Sequence, residues 1–247
     1  MGMTLAEKIL SQHAGRDVKP GEIIVADIDG TVSHDANRPL ALEAFERMEG
    51  SALFDPKRVV QVIDHHYPAP GEANAAVHQK IRKMTSQLGC KLYEGEGICH
   101  VVLPENGYVL PGDLIVGTDS HTCTNGAVGA FATGVGSTDT GVVLITGKLW
   151  FMVPETIKMN VVGTLPPGVF AKDIILHIIA SISADGATYQ AVEYAGPVIE
   201  KLSMDARFTL SNMAVEMGAK AGMVAPDQTT LDWIAAHNPK REFTPVQ

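Results

Sequence analysis

Asp113-Leu114-Ile115-Val116-Gly117-Thr118-Asp119-Ser120-His121 runs from a short apolar stretch directly into an acid, a hydroxyl and an imidazole. Residues 113–116, apolar after Asp113 and set off by the Pro111-Gly112 turn, read as a strand. Strand-like runs alternate with helical spacing through most of the chain, which predicts an α/β fold with a largely parallel sheet. Ligands of such sheets sit beyond the carboxyl ends of the strands, where Asp119, Ser120 and His121 fall.

The flanking segments fit this frame. Residues 5–13 have helical spacing, with Thr4 as cap and Ala14-Gly15 as stop. Residues 22–26 read as a buried strand, 27–39 as a polar loop and 40–48 as a helix. A second apolar strand, 58–63, brings Asp64-His65-His66 to its C-terminal end, the same edge as Asp119. Residues 73–88 read as a helix, 91–93 and 101–103 as strands, and the glycines of 126–136 as a close approach of helix and sheet. After a break at 149–154 come a strand at 156–162, a helix at 171–182 and a second, smaller α/β set. This division predicts one domain over 1–153 and another over 154–247. The last ten residues, polar and proline-bearing, read as a frayed tail.

Composition narrows the classes. The 247 residues are 45% hydrophobic and 19% charged, an ordinary globular balance. A net charge of −9 without a basic stripe argues against nucleic acid as a partner. No apolar run reaches a membrane span, and the N-terminus lacks a secretory core, so the cytoplasm is the expected compartment. Cys90, Cys99 and Cys123 match neither a zinc motif nor a CxxC pair, and read as free thiols.

Asp64-His65 places a carboxylate beside an imidazole, a pairing that fixes a tautomer and suits general acid work, although a surface turn would also account for it. His100 alone reads as a satisfied structural histidine at a loop-to-strand junction. Asp119-Ser120-His121 is denser. Adjacent residues rarely adopt triad geometry and there is no GxSxG elbow, so a polar cradle for an anionic substrate fits better than a hydrolase. Asn212 and Glu216, four apart, would share one helix face. Ile23-Ile24-Val25-Ala26-Asp27-Ile28-Asp29-Gly30-Thr31 also resembles the first motif of haloacid-dehalogenase-type phosphatases, with Asp27 as nucleophile and Asp29 as acid, but the later basic and acidic partners are missing.

Taken in order, the motifs resemble the aconitase superfamily. Gly117-Thr118-Asp119-Ser120-His121-Thr122 leading into residues 129–139 looks like its signature. Ile63-Asp64-His65 and Gly95-Glu96-Gly97-Ile98-Cys99-His100 resemble its two histidine motifs. Asp185-Gly186-Ala187-Thr188-Tyr189 then leads to Asn212-Met213-Ala214-Val215-Glu216. Within the superfamily the chain is most similar to 3-isopropylmalate dehydratase large subunits. The resemblance implies three-layer α/β/α domains and a hydro-lyase that isomerises a hydroxy-di- or tricarboxylate by dehydration and rehydration, the step used in leucine biosynthesis. It pairs Asp64 with His65, Asp119 with His100, and Glu216 with His121. His65 would protonate the leaving hydroxyl, the other two imidazoles would orient substrate or water, and Ser120 and Asn212 would line the pocket.

The resemblance also implies a [4Fe–4S] cluster acting as Lewis acid and a small swivel-domain subunit as partner. The family's cluster cysteines, in GSCTNG and CxxC motifs, are absent; Cys123-Thr124-Asn125-Gly126 is only a superficial match, so no residue here is assigned to a metal. The chain therefore reads as an N-terminal fragment, inactive alone and prone to self-association. The family's serine base and carboxylate-binding arginines are also missing, and residues 27–39 lack the glutamine aconitases place there, which argues against citrate. Homoaconitate or a dimethylmalate-like acid remain alternative substrates, and a non-catalytic scaffold is the alternative outside enzymology.

Overall fold

The computed structural model describes residues 2–237 and 242–243; most of the tail read as frayed lies outside them. Helix α1 (Leu5–Ala14) opens the chain. Thr4 accepts from the Glu7 amide while the Glu7 carboxylate accepts from the Thr4 amide, a reciprocal capping box, and Gly15 closes the helix at φ 67°. Strand β1 (Ile23–Asp27) follows, then β2 (Gly30–His34), α2 (Arg38–Arg47), β3 (Val59–Ile63), α3 (Glu72–Leu88), β4 (Lys91–Glu94) and α4 (Cys99–Glu105). Next come β5 (Leu114–Gly117), β6 (Phe131–Gly134), α5 (Ser137–Thr146), β7 (Lys148–Met152), β8 (Thr156–Asn160), α6 (Ala171–Ile182) and β9 (Ala191–Ala195). Helices α7 (Pro197–Glu200) and α8 (Met204–Asn212), strand β10 (Ala221–Val224) and helix α9 (Gln228–Ala236) complete the series.

The main sheet is five-stranded and wholly parallel, in the order β4-β3-β2-β5-β6. The chain moves outward from β2 to β4, returns across the sheet, and continues from β5 on the other side of β2. The crevice between β2 and β5 is therefore a topological switch point, where this kind of sheet offers a ligand site at its C-terminal edge. Val32, Val60, Val62, Ile115 and Ala132 face one layer, packed on Cys99, Val102 and Leu103 of α4. On the opposite face Val59 packs with Phe45 of α2 and Leu144 of α5, and Leu114, Val116 and Phe131 with Leu5, Ile9 and Leu10 of α1. The result is an α/β/α sandwich around a parallel sheet.

A second parallel sheet, β10-β9-β8, is built from residues after 154. Val192 and Tyr194 pack against Ile174 and Ile175 of α6 and Leu210 of α8. Its other face is continuous with the core around α1, through Ala191, Ala221 and Met223. No helix among the described residues is long and apolar enough to cross a membrane.

Four sequence expectations need correction. Residues 30–34 form the central strand, not loop: Thr31 and Ser33 alternate with Val32, and all five are buried. Residues 99–105 are helix rather than strand, because the Asp64 carboxylate accepts from the Cys99 amide and holds the first turn. Strand β1 is not buried on both faces; it pairs antiparallel with β7 in a two-stranded ribbon whose residues alternate exposed and buried. Asn212 and Glu216 do not share one α-helix, since α8 ends at Asn212 and Glu216 lies in a 3-10 segment, Met213–Met217.

Candidate active site

Residues that end β2, β3 and β5, or follow them, meet over the switch point. Directly after β5, Asp119 accepts from the His121 amide through its side chain and starts a 3-10 segment, Ser120–Val128. The local sequence explains the tighter winding: Thr122 Oγ1 donates to the Asp119 carbonyl, Thr124 Oγ1 to that of His121, and Asn125 Nδ2 to that of Thr122. Each bond spans three residues, the 3-10 repeat.

Four imidazoles surround the Asp119 carboxylate. His100 Nε2 lies 3.1 Å away, His121 Nδ1 3.4 Å, His34 Nε2 3.5 Å and His65 Nε2 3.6 Å. The hydrogen bond from His100 holds this carboxyl well below the usual carboxylate range, against the opposing effect of burial and with help from the His121 amide. Asp119 is thus a fixed negative charge with four potential proton carriers around it.

The other acids complete the arrangement. His65 Nδ1 lies 2.7 Å from Asp64 Oδ1; a carboxylate only accepts, so this ring nitrogen carries the proton. Asp64 Oδ2 accepts from the Cys99 amide at 2.7 Å, tying the pair to the start of α4 and so to His100. His121 Nε2 is 3.2 Å from Glu216 Oε1, and the His100 and His121 rings are 6.0 Å apart. The structure therefore brings Asp64, His65, His100, Asp119, His121 and Glu216 together. Ser120 Oγ lies 3.3 Å from His121 Nδ1 and lines a cavity of about 440 Å³ with Thr118, Thr133 and Lys220. Asn212 sits to one side, its Nδ2 donating 2.8 Å to Thr124 Oγ1.

Sequence reasoning missed three members. His34, at the end of β2, stacks on His65 with centroids 3.7 Å apart and planes 18° from parallel. Burial, reinforced by His65 and opposed by Asp119, pushes its pKa down to about 4. Asn37 Nδ2, which only donates, lies 3.2 Å from His34 Nε2, in keeping with a neutral ring. Asp35 and His78 form a second, fully buried pair below the first. The signal was available in His34-Asp35, another acid–imidazole dipeptide, but it lay in residues read as loop.

Two metal-based chemistries meet the residues of this site differently. His34, Asp35, Asp64 and His65 offer ligand atoms within 4.8 Å of one another, enough to suggest a metal ion. Asp35 is already held by three amides and His78, however, and Asp64 by His65 Nδ1 and the Cys99 amide. An iron–sulfur cluster needs thiolates. Cys123 donates its thiol to the Asn212 carbonyl and burial pushes it up to about 12, while burial raises Cys99 further. Cys90 precedes β4 and lies at the N-terminal edge of the sheet, away from the site. The three cysteines do not fit a cluster.

The phosphatase motif is overturned by position. Its strand would have to be central and parallel, whereas β1 belongs to the ribbon. Asp27 is exposed and paired with Lys148 at 2.6 Å; Asp29 is held by His13 and by the Leu114 amide at the opposite end of the sheet from Asp119.

A parallel sheet with acid–histidine pairs gathered at its switch point defines the class, and comparison with known proteins agrees. The chain belongs to the aconitase family: the model described as Aconitase family (aconitate hydratase) matches residues 7–246. It is 50% identical over 236 residues to 3-isopropylmalate dehydratase large subunit 1 of Methanopyrus kandleri, covering 95% of this chain and 56% of that protein. The 3-isopropylmalate dehydratase large subunit of Aquifex aeolicus is 48% identical over 237 residues, 95% of this chain and 55% of its own length. Large subunit 1 of Pyrococcus abyssi is 49% identical over 247 residues, covering 98% and 58%. The chain thus spans little more than half the length of these relatives.

Proposed function

We propose that this chain carries the acid–histidine half of a hydro-lyase site that interconverts 2- and 3-isopropylmalate, a step of leucine biosynthesis, in the cytoplasm. The observation behind this reading is the convergence of four imidazoles on the Asp119 carboxylate. The relatives' names supply the substrate pair.

Elimination of water breaks a C–O and an adjacent C–H bond. His65, with its Nδ1 proton fixed by Asp64, delivers a proton from Nε2 to the leaving hydroxyl, which departs as water. The C–H electron pair becomes the alkene bond, and its proton passes to a base elsewhere in the complete protein. Rehydration reverses the steps with hydrogen and hydroxyl exchanged between the two carbons. His100 and His121, each beside a carboxylate, orient substrate and water; Ser120 and Asn212 shape the pocket. The substrate-binding arginines and the thiolates of a [4Fe–4S] cluster also come from outside this chain, the former in part from a small subunit. Residues 1–247 by themselves are expected to be inactive on this reading.

The test is an assay of the complete large subunit with its small subunit on both malates. His65→Ala is expected to lower kcat by about 10²–10⁴, the usual contribution of a positioned general acid. A variant with wild-type kcat would remove the proposal.

A further inference from the structure

We infer that Asp35 and His78 form a positioning pair, which fixes the Asp64–His65 acid from beneath without meeting the substrate. The inference rests on the hydro-lyase reading for its catalytic consequence, but its geometry stands independently.

Asp35 is the second residue after Ser33 at the close of β2, and its side chain is wholly buried. Its Oδ1 accepts from the amides of Asp64 at 3.3 Å and His65 at 3.0 Å, and its Oδ2 from the His66 amide at 2.9 Å. His78 Nε2, from α3, lies 3.0 Å from the same Oδ2. Three successive amides pointing at one anion form a nest of the kind that binds phosphate elsewhere. Here the anion is a side chain from the neighbouring strand. Burial would raise the Asp35 pKa, yet the hydrogen bonds from His78 and the backbone outweigh it and keep the carboxyl low.

A buried charge is a poor way to gain stability, because an apolar side chain of similar volume commonly serves as well. What the carboxylate adds is direction. It fixes three N–H vectors, and hence the peptide that carries Asp64 and His65, whose side chains must meet at 2.7 Å. Both oxygens are needed as acceptors. An asparagine at 35 would turn its amide NH2 toward one set of donors, whichever way it flips, and leave that set unpaired.

The test begins with amide hydrogen exchange by NMR on the full chain. In Asp35→Asn the amide of His65 or that of His66, on whichever side the NH2 comes to lie, is expected to exchange roughly tenfold faster, as for loss of about one hydrogen bond, with β3 and β5 amides unchanged. In the complete enzyme the same variant should lose roughly tenfold or more in kcat with KM within about twofold, and shift the acidic limb of the kcat–pH profile. Unchanged exchange at 65 and 66 would overturn the inference, as would a kcat loss that merely follows the folded fraction. Should Asp35→Asn fail to fold, His78→Leu, which removes the donor, decides through the same amides: faster exchange supports the pair and unchanged exchange overturns it. If the hydro-lyase reading fails instead, the wild-type enzyme is inactive on both malates while the amide effect persists.

Discussion

His34 enters the edge of the sheet as a neutral ring, and this has a consequence for stability. Its pKa is pushed down to about 4, whereas an unfolded histidine titrates near about 6.5. Between those values the unfolded chain binds the additional proton, so stability falls as pH drops, by about 1.4 kcal/mol per pH unit and on the order of 3 kcal/mol in all. Asp35 and Asp119 act in a different window. Their depressed values give stability that is complete above about 3.9 and lost only at more acidic pH. His13 acts with the opposite sign: burial lowers it, its bond to Asp29 more than compensates, and its stabilisation is lost as pH rises through its raised value. Urea titrations of His34→Gln between pH 7 and 4 are expected to show a flatter acid slope than the wild type; an identical slope would contradict the neutral assignment. Asp64, His65 and Asp119 were legible as polar residues at strand ends. The partnership of His121 with Glu216 was not legible from spacing, because 95 positions separate them, and it came from the family resemblance.

At the scale of elements, close packing of backbone against backbone sets the position of the site. A methyl group at Gly134, on β6, would lie 2.6 Å from the Asp119 carbonyl oxygen, and one at Gly126 would lie 2.0 Å from that of Gly222 on β10. Neither neighbour is a flexible side chain. Gly134→Ala is expected to cost about 1–3 kcal/mol, as overpacking does, and to displace Asp119; an unchanged urea midpoint would count against this. Helices with strong local signals were readable: the Thr4–Glu7 box delimits α1, and α6 runs over the predicted residues 171–182. Strand β2 was hidden because Thr31 and Ser33 make a buried strand look polar. Val101-Val102-Leu103 imitated a strand because a short apolar run is ambiguous between strand and buried helix. What decides it is the contact from Asp64, 35 positions from Cys99.

On the scale of the whole molecule, the β1–β7 ribbon presents an apolar face. Ile23 pairs with Met152 and Val25 with Trp150, and all four are exposed, Ile23 by 71% and Trp150 by 56%. Contiguous apolar surface of this kind favours association. The purified chain is expected to self-associate in sedimentation velocity, and Trp150→Lys to shift it toward monomer; a wild-type chain that is monomeric at high concentration would contradict this. The parallel sheet was legible from alternation alone. The ribbon was not, since β1 and β7 are about 125 residues apart, β1 imitates a core strand, and residues 149–154, read as a break, in fact hold most of β7.

The central claim concerns the four imidazoles gathered on Asp119. Long-range proton–nitrogen NMR of the histidine rings tests it directly, in the wild type and in Asp119→Asn. Shifts at the ring nitrogens of His34, His65, His100 and His121 together, with His177 unmoved, are the expected result. A change confined to His121, the sequence neighbour, would contradict the shared site.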